Sequence, residues 1–551
     1  MTRLMNLKVL DRWVFILILC VFVIMIYERI TKRLFETYFW WDEAGQFWMS
    51  LGQTHVSDFL TQPENVMNGV EAGRNLYNLD PIGFTILFRF WIEVFGTSPA
   101  SLRSLPLMFF VFSFIACTFI GRKVFRTPLT VAAIIPLFAL AEIVPLQKST
   151  EIRAYSSELF FTIVILSLTL LYLQNEKNQI LVLLFFTGVL GLVFSRYSLM
   201  IAIGASCFTI LIIKVIIHRQ KIRKNLLFIA TWAATTVTFV AWNTGVISNA
   251  NQQPPRYYTS AFNLENNFEL NFILKIIDMN IFSGIHQFTG FFTICSSLIL
   301  ISSYFTRVNK NRLLLLQSLV GQLIWVNCLV MIISYEVFAI ALSFLGLTPW
   351  WAEKPWSIGL IGIAIFSGFA SYRALRYIYD LTLKLKFESR VIKSSNYLKL
   401  VSVCTIFLCV PGFSNLNNVF QPDNQADLQT NFSSNIYSAM KDVPKSQQSN
   451  WYISGYYWPS FRMIWETEIQ AKPDTHPSFA APIIPKFYST DVEETAVVRG
   501  LARCNPATNE FFLFKGSASA QIEVLKEISK ENGCDLFQLP NSMGDAFVVL
   551  R

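Results

Sequence analysis

Residues 13–48 read WVFILILCVFVIMIYERITKRLFETYFWWDEAGQFW. The first 18 of these, 13–30, form an apolar run long enough to cross a bilayer. Arg3, Lys8 and Arg12 precede it and no small-residue cleavage site follows, so it reads as an uncleaved first span. Beyond Ile30 the chain turns polar and then aromatic, from Tyr38 to Trp48, with Asp42 and Glu43 side by side. Tyr and Trp favour the headgroup level of a membrane, which places both acids where water meets lipid. A helix over 42–51 puts Asp42, Gln46 and Met49 on one face while Glu43 points elsewhere. The same stretch also reads as an aromatic belt carrying two solvated acids.

Working outward, apolar runs recur at 104–121, 128–146, 156–173, 179–195, 197–217, 226–245, 287–304, 313–334, 356–372 and 397–412. The 551 residues are 53% hydrophobic and 15% charged, where a soluble chain carries about a quarter charged residues. This excludes a soluble multidomain enzyme, a disordered protein and a secreted disulfide scaffold. The fold class is a polytopic α-helical membrane protein of about eleven transmembrane helices, or twelve to thirteen at the upper end. The short stretch 81–96, with Arg89 and Glu93 four apart, reads as a helix lying in the interface. Residues 336–347 are apolar but short, either re-entrant or a twelfth span.

The net charge of +9 is unevenly divided. Residues 413–551 hold 11 Lys/Arg against 15 Asp/Glu, so residues 1–412 carry 34 against 21. A nucleic-acid partner would cluster that basic excess on one surface, but here it falls in short loops between apolar runs. With the N-terminus in the cytoplasm, inner segments such as 121–126, 214–224, 307–312 and 373–396 hold 22 of the 34 basic residues. That imbalance orients the chain. It places 31–103, 246–286 and the tail from 413 outside, in a plasma or inner membrane.

The domains are then a membrane domain, 1–412, and an extracytoplasmic α/β domain, 413–551. Within the tail, 511–514 reads as a strand, 520–533 as a helix closed by glycine, and DLFQL and AFVVL as two further strands. Seven of nine cysteines lie in or beside apolar runs. Only Cys504 and Cys534 lie in the polar tail, where an exported domain makes a disulfide between them plausible. No CxxC, Cys/His metal spacing, P-loop or GxGxxG is present.

An aromatic-walled carboxylate at the interface suits deprotonation of a hydroxyl that attacks a lipid-linked substrate. Five features in order make a wider pattern. They are one span followed by Asp42-Glu43, a Pro-led helix from Pro81 to Gly96, SLRSLP at 101–106, EIRAYSSEL at 151–159, and a many-span body with an exported tail. In this order the chain resembles the GT-C-fold glycosyltransferases that use polyprenyl-phosphate sugars, such as protein O-mannosyltransferases and the lipid A aminoarabinose transferase. The motifs cover about residues 10–200; the rest is likeness of architecture.

The resemblance implies that Asp42 is the base on the acceptor hydroxyl, with Glu43 as second choice or as an orienting group. It implies inversion at the anomeric carbon, with polyprenyl phosphate leaving. The donor is then a polyprenyl-phosphate sugar, and the acceptor a lipid, glycan or protein amid membrane lipids. Outer cations offered to the phosphate are Arg74, Lys148, Arg153, Arg196 and Lys354, with Arg153 first and Tyr155 beside it; each also reads as a snorkelling or surface residue. Relatives often carry an Arg-Tyr pair near Lys354, and here it is missing. Relatives often have His or Lys before the Pro of the interfacial helix; Asp80 stands there instead. Asp80 then contacts the acceptor, or joins Asp42 in holding a divalent cation, or leaves the phosphate to another cation. No cofactor is required by the resemblance, and no metal ligand set is assigned. His286 is an acceptor-binding candidate or a structural histidine, and Arg103 an anchor or the partner of an acid. Two other classes stay open: a transporter or flippase of lipid-linked sugars, and a non-catalytic subunit that binds them.

Overall fold

The computed structural model describes residues 2–29, 33–34, 41–52, 82–242, 323–344, 358–386, 448–454, 483–484, 491–504, 508–514, 519–539 and 546–550. The expected spans 287–304 and 397–412 lie outside these residues. The chain divides into two compact units. The first is Met1–Arg29, Tyr77–Leu87 and Ser104–Phe420; the second is Ile30–Leu76, Phe88–Arg103 and Gln421–Arg551.

The helices in chain order are α1 (Thr2–Arg29), α2 (Trp41–Ser50), α3 (Ile82–Phe95), α4 (Pro99–Lys123), α5 (Leu129–Leu140), α6 (Ile143–Lys148), α7 (Tyr155–Asn175) and α8 (Asn178–Phe194). They continue with α9 (Leu199–Ile210), which runs on as a π-helical segment Leu211–Ile217, then α10 (Ile222–Trp242), α11 (Ile324–Phe344) and α12 (Ile358–Lys386). Among the described residues, five helices are long and apolar enough to cross a membrane: α1, α4, α7, α9 with its π-helical extension, and α10. Large apolar residues stand exposed on α1 (Trp13, Leu17 and Val23) and α10 (Leu227 and Val237), and on the shorter α8 (Phe186 and Leu190). A water-facing surface of that kind would drive association; facing lipid, it has no such cost. The chain is an integral membrane protein.

Helix α7 is the most enclosed of the five, and its 21 residues span about 31 Å, close to the hydrocarbon thickness of a bilayer. Glycines let its neighbours approach. A Cβ at Gly188 of α8 would lie 2.5 Å from the Trp232 ring of α10, and one at Gly204 of α9 2.2 Å from Phe338 of α11. Asp11 of α1 accepts the backbone N–H groups of Leu129 and Thr130 at 3.1 and 3.0 Å. It thereby caps α5, whose own preceding residue, Pro128, supplies no side-chain cap.

Three expected spans differ in form. The run 128–146 is two helices, α5 and α6, because Pro145 lacks an N–H and its ring crowds the carbonyl four residues back; the chain accordingly extends at Glu142. The span expected at 313–334 is described from Ile324 and continues to Phe344, so Tyr335 and Glu336 lie inside a helix and most of 336–347 belongs to it. Helix α12 continues through the basic residues after 372 to Lys386, since Arg, Leu and Lys are good helix formers.

In the second unit, the tail forms a five-stranded sheet of β1 (Gln448–Ser454), β2 (Ile483–Ile484), β3 (Thr508–Phe514), β4 (Leu536–Leu539) and β5 (Ala546–Leu550), with helices α13 (Asp491–Leu501) and α14 (Ser519–Asn532). The strand order is β2-β1-β3-β5-β4. The first three are parallel, and β5 runs antiparallel to both neighbours. Val498, Phe512, Leu525 and Ile528 form its core. Gly533 ends α14 at φ +66, the left-handed position glycine takes most readily. Cys504 and Cys534 are joined in a disulfide, Cα–Cα 6.1 Å.

Candidate functional site

The turn between α6 and α7 is tightly tied. Arg153 N–H donates to Glu151 O at 2.7 Å, Ser156 Oγ to Lys148 O at 2.9 Å and Ser157 Oγ to Ala154 O at 2.9 Å. These bonds bring the residues of EIRAYSSEL into one place. Tyr155, fully buried at the start of α7, is surrounded by cations. Lys148 Nζ lies 4.5 Å from its ring centroid, Arg196 Cζ 4.5 Å and Arg153 Cζ 5.6 Å.

Two carboxylates hold this group in order. Lys148 pairs with Glu151. Glu158, buried in the first turn of α7, accepts Ser198 Oγ at 2.5 Å and faces Arg196 at 3.8 Å. An acid in a first helical turn also meets the positive end of the helix dipole. Three cations against two acids leave this corner with one positive charge in excess. The sequence offers Lys148 and Arg196 only as two of several outer cations; the structure puts them with Arg153 and Tyr155. No sequence signal joins Arg196 to Tyr155, 41 positions away. Ser198 and Glu158 also escaped notice, although Glu158 stands inside the quoted motif.

In the second unit, α2 forms over the expected stretch, and Ala44, Phe47, Trp48 and Met49 are buried. Asp42 is its second residue, and the Asp42 side chain lies outside the described residues. Glu43 is buried, its Oε2 3.7 Å from Arg103 Nη2. Arg103, equally buried, donates from Nη1 to Arg33 O at 2.7 Å. Arg103 therefore does what one of its two readings expected and partners an acid. The residues Arg74, Asp80, His286 and Lys354 lie outside the described set. Among the described residues, no group of three or more His, Cys, Asp or Glu is placed to hold a metal ion.

The expected interfacial helix is α3. It buries Gly83, Phe84, Phe88 and Ile92 and exposes Ile86, Phe90 and Val94. Arg89 and Glu93 pair at 2.6 Å. Gly96, at φ +82, closes it by donating to Ile92 O at 2.8 Å.

No family model matches this chain, and no curated protein is significantly similar to it. Among solved structures it is similar to the crystal structure of ArnT from Cupriavidus metallidurans in the apo state. The identity is 10% and the TM-score 0.44, over 97% of each chain. A likeness so loose assigns no residue a role.

Proposed function

We propose that the protein is an inverting glycosyltransferase of the membrane. It moves a monosaccharide from a polyprenyl-phosphate donor to a hydroxyl of a lipid, glycan or protein acceptor on the extracytoplasmic face. The observation that carries this reading is the convergence of Lys148, Arg153 and Arg196 on Tyr155 at the opening of α7. Such a cluster, at the end of a membrane-length helix, stands at the level where a lipid phosphate lies. Cations fixed there gain most when the departing phosphate takes up charge in the transition state.

Asp42 takes the proton of the acceptor hydroxyl as its oxygen attacks the anomeric carbon. The bond from that carbon to the phosphate oxygen breaks on the opposite side, and its electron pair leaves with polyprenyl phosphate. Glu43, buried and engaged by Arg103, is better suited to holding α2 in place than to receiving a proton. Arg74 and Lys354 are candidate phosphate contacts, and Asp80 and His286 candidate acceptor contacts, from their outer places in the sequence. The tail disulfide supports an exported C-terminal domain, as does the distribution of basic residues.

One observation favours the transporter reading. Glu336 stands within α11, and its Oε1 is buried with no hydrogen-bond partner among the described residues; acids inside membrane helices often mark ion pathways. One assay separates the readings. Reconstituted protein given labelled polyprenyl-phosphate sugar should form glycosylated product. Asp42→Asn should abolish transfer while donor binding stays measurable. Wild-type turnover by that variant would remove the mechanism, leaflet exchange without product would establish a transporter, and binding without either would leave a non-catalytic subunit.

A further inference from the structure

The end of α7 away from Tyr155 carries a second basic cluster, which sugar transfer does not use. Glu176, just beyond α7, pairs with Lys214 of the π-helical segment at 2.5 Å and with Lys221 at 3.0 Å. Lys224 donates to Asn178 and lies 5.5 Å from the centroid of the Tyr172 ring. Tyr172 in turn donates to Asn225 Oδ1 at 2.5 Å, and Asn225 Nδ2 to Gln220 O at 2.9 Å. These contacts stitch together the end of α7, the starts of α8 and α10, and the π-helical segment. Residues 176–178 and 214–224 hold six basic residues, Lys177, Lys214, Arg219, Lys221, Arg223 and Lys224, and one carboxylate, Glu176.

A topological excess of Lys and Arg would account for the number of these charges, but not for their being held in place. Lys214 is buried. Arg219 and Lys221 occupy left-handed backbone at φ 53 and 45, which costs side-chain-bearing residues energy. Burial, and then the charge of Lys214, hold His218 below the ordinary imidazole value, against the opposing effect of Glu176. The clustered cations adjoin the starts of α8 and α10, where neither first turn offers an acid. Beside them, Leu183 and Phe186 of α8 and Ile222, Leu226 and Leu227 of α10 present exposed apolar surface.

We propose that this rim binds the phosphate of an anionic phospholipid whose acyl chains lie along the apolar surface of α8 and α10. The charge complements a headgroup, and the adjoining apolar strip fits its chains rather than a free anion. The test uses the full-length protein in detergent micelles, titrated with phosphatidylglycerol or phosphatidylcholine and followed by native mass spectrometry. Wild type should bind phosphatidylglycerol at least about tenfold more tightly, since each Lys or Arg near such a headgroup contributes on the order of tenfold or less. Lys221→Gln with Lys224→Gln should lose most of that preference, and Lys221→Arg with Lys224→Arg should retain it. Equal binding of the two lipids by wild type would overturn the proposal, as would an undiminished preference in the double Gln variant. So would displacement of phosphatidylglycerol by equimolar inorganic phosphate, which would mark a site for free anions. The wild-type comparison needs no variant, so misfolding of the substituted proteins does not protect the proposal.

Discussion

Arg103 serves two groups at once, the Glu43 carboxylate and the Arg33 carbonyl, and all of this is out of water. Replacing it by Ala strands a buried carboxylate, which costs about 3 kcal/mol or more. Removing both charges, with Glu43→Gln and Arg103→Met, should cost clearly less. Thermal unfolding of the purified protein in detergent compares the two, and equal losses would show that the pair does not interact. At Tyr155, replacing Arg196 by Ala removes a cation offered to the donor phosphate. Donor affinity should then fall about tenfold to a hundredfold, read by titration with labelled donor; unchanged affinity would remove Arg196 from the donor site. This part of the site was only half visible in the sequence. EIRAYSSEL announces Arg153 and Tyr155 because they are neighbours in the chain, and Asp42-Glu43 announces a carboxylate at an interface. Which of two adjacent acids is engaged by Arg103 depends on a contact across 60 positions, and periodicity carries no information about it.

The elements are held by a few identifiable devices. The Asp11 cap joins α1 to the start of α5, and Asp11→Ala should destabilise the protein by about 1–2 kcal/mol, measurable by the same unfolding experiment. Gly83 lets α3 lie against the end of α8, where an added Cβ would fall 2.4 Å from both the Val193 carbonyl oxygen and its Cγ1. Because backbone cannot move aside as a flexible side chain can, Gly83→Ala should cost about 1–3 kcal/mol. At the other end of α7, Glu176 is held below its ordinary value of 4.5, first by the hydrogen bond from Lys214, against the opposing effect of burial, and then by Lys221. A carboxylate depressed on folding stabilises the protein above its unfolded pKa and loses that contribution as the pH falls through its folded one. The gap in unfolding temperature between wild type and Glu176→Gln should therefore be present at pH 7 and shrink at acid pH below the usual glutamate range. The helices themselves were largely legible, because a span must be apolar for about twenty residues whatever its neighbours. Their interruptions were less so. The break before α6 turns on one proline within an apolar run, and the length of α11 on whether Glu336 ends a span or is buried inside one. Only packing decides the latter.

For the molecule as a whole, the reading stands on which end of the bundle faces the cytoplasm. Tyr155 and Glu176 mark opposite ends of α7, a helix long enough to cross the membrane, so the two basic clusters lie on opposite sides. The phosphate of an exported sugar donor can be served only by the Tyr155 end, and only if that end is outside. The distribution of Lys and Arg favours that orientation, because the Glu176 end collects the basic loops. The count is weakened by the break in 128–146, since α5 and α6 do not form the single continuous crossing the alternation assumed. The tie from Asp11 to Leu129 and Thr130 compensates. It sets the start of α5 beside the N-terminal part of α1, which assigns both to one side without any counting of spans. Cysteines introduced singly at exposed Ser98 and exposed Arg219, in a variant lacking the other free thiols, test the orientation directly. In intact cells an impermeant maleimide should label Ser98→Cys, and label Arg219→Cys only once the membrane is opened. The reverse pattern would put the Tyr155 cluster in the cytoplasm, where an activated lipid donor of the exported kind never arrives, and the transferase reading would fall with it.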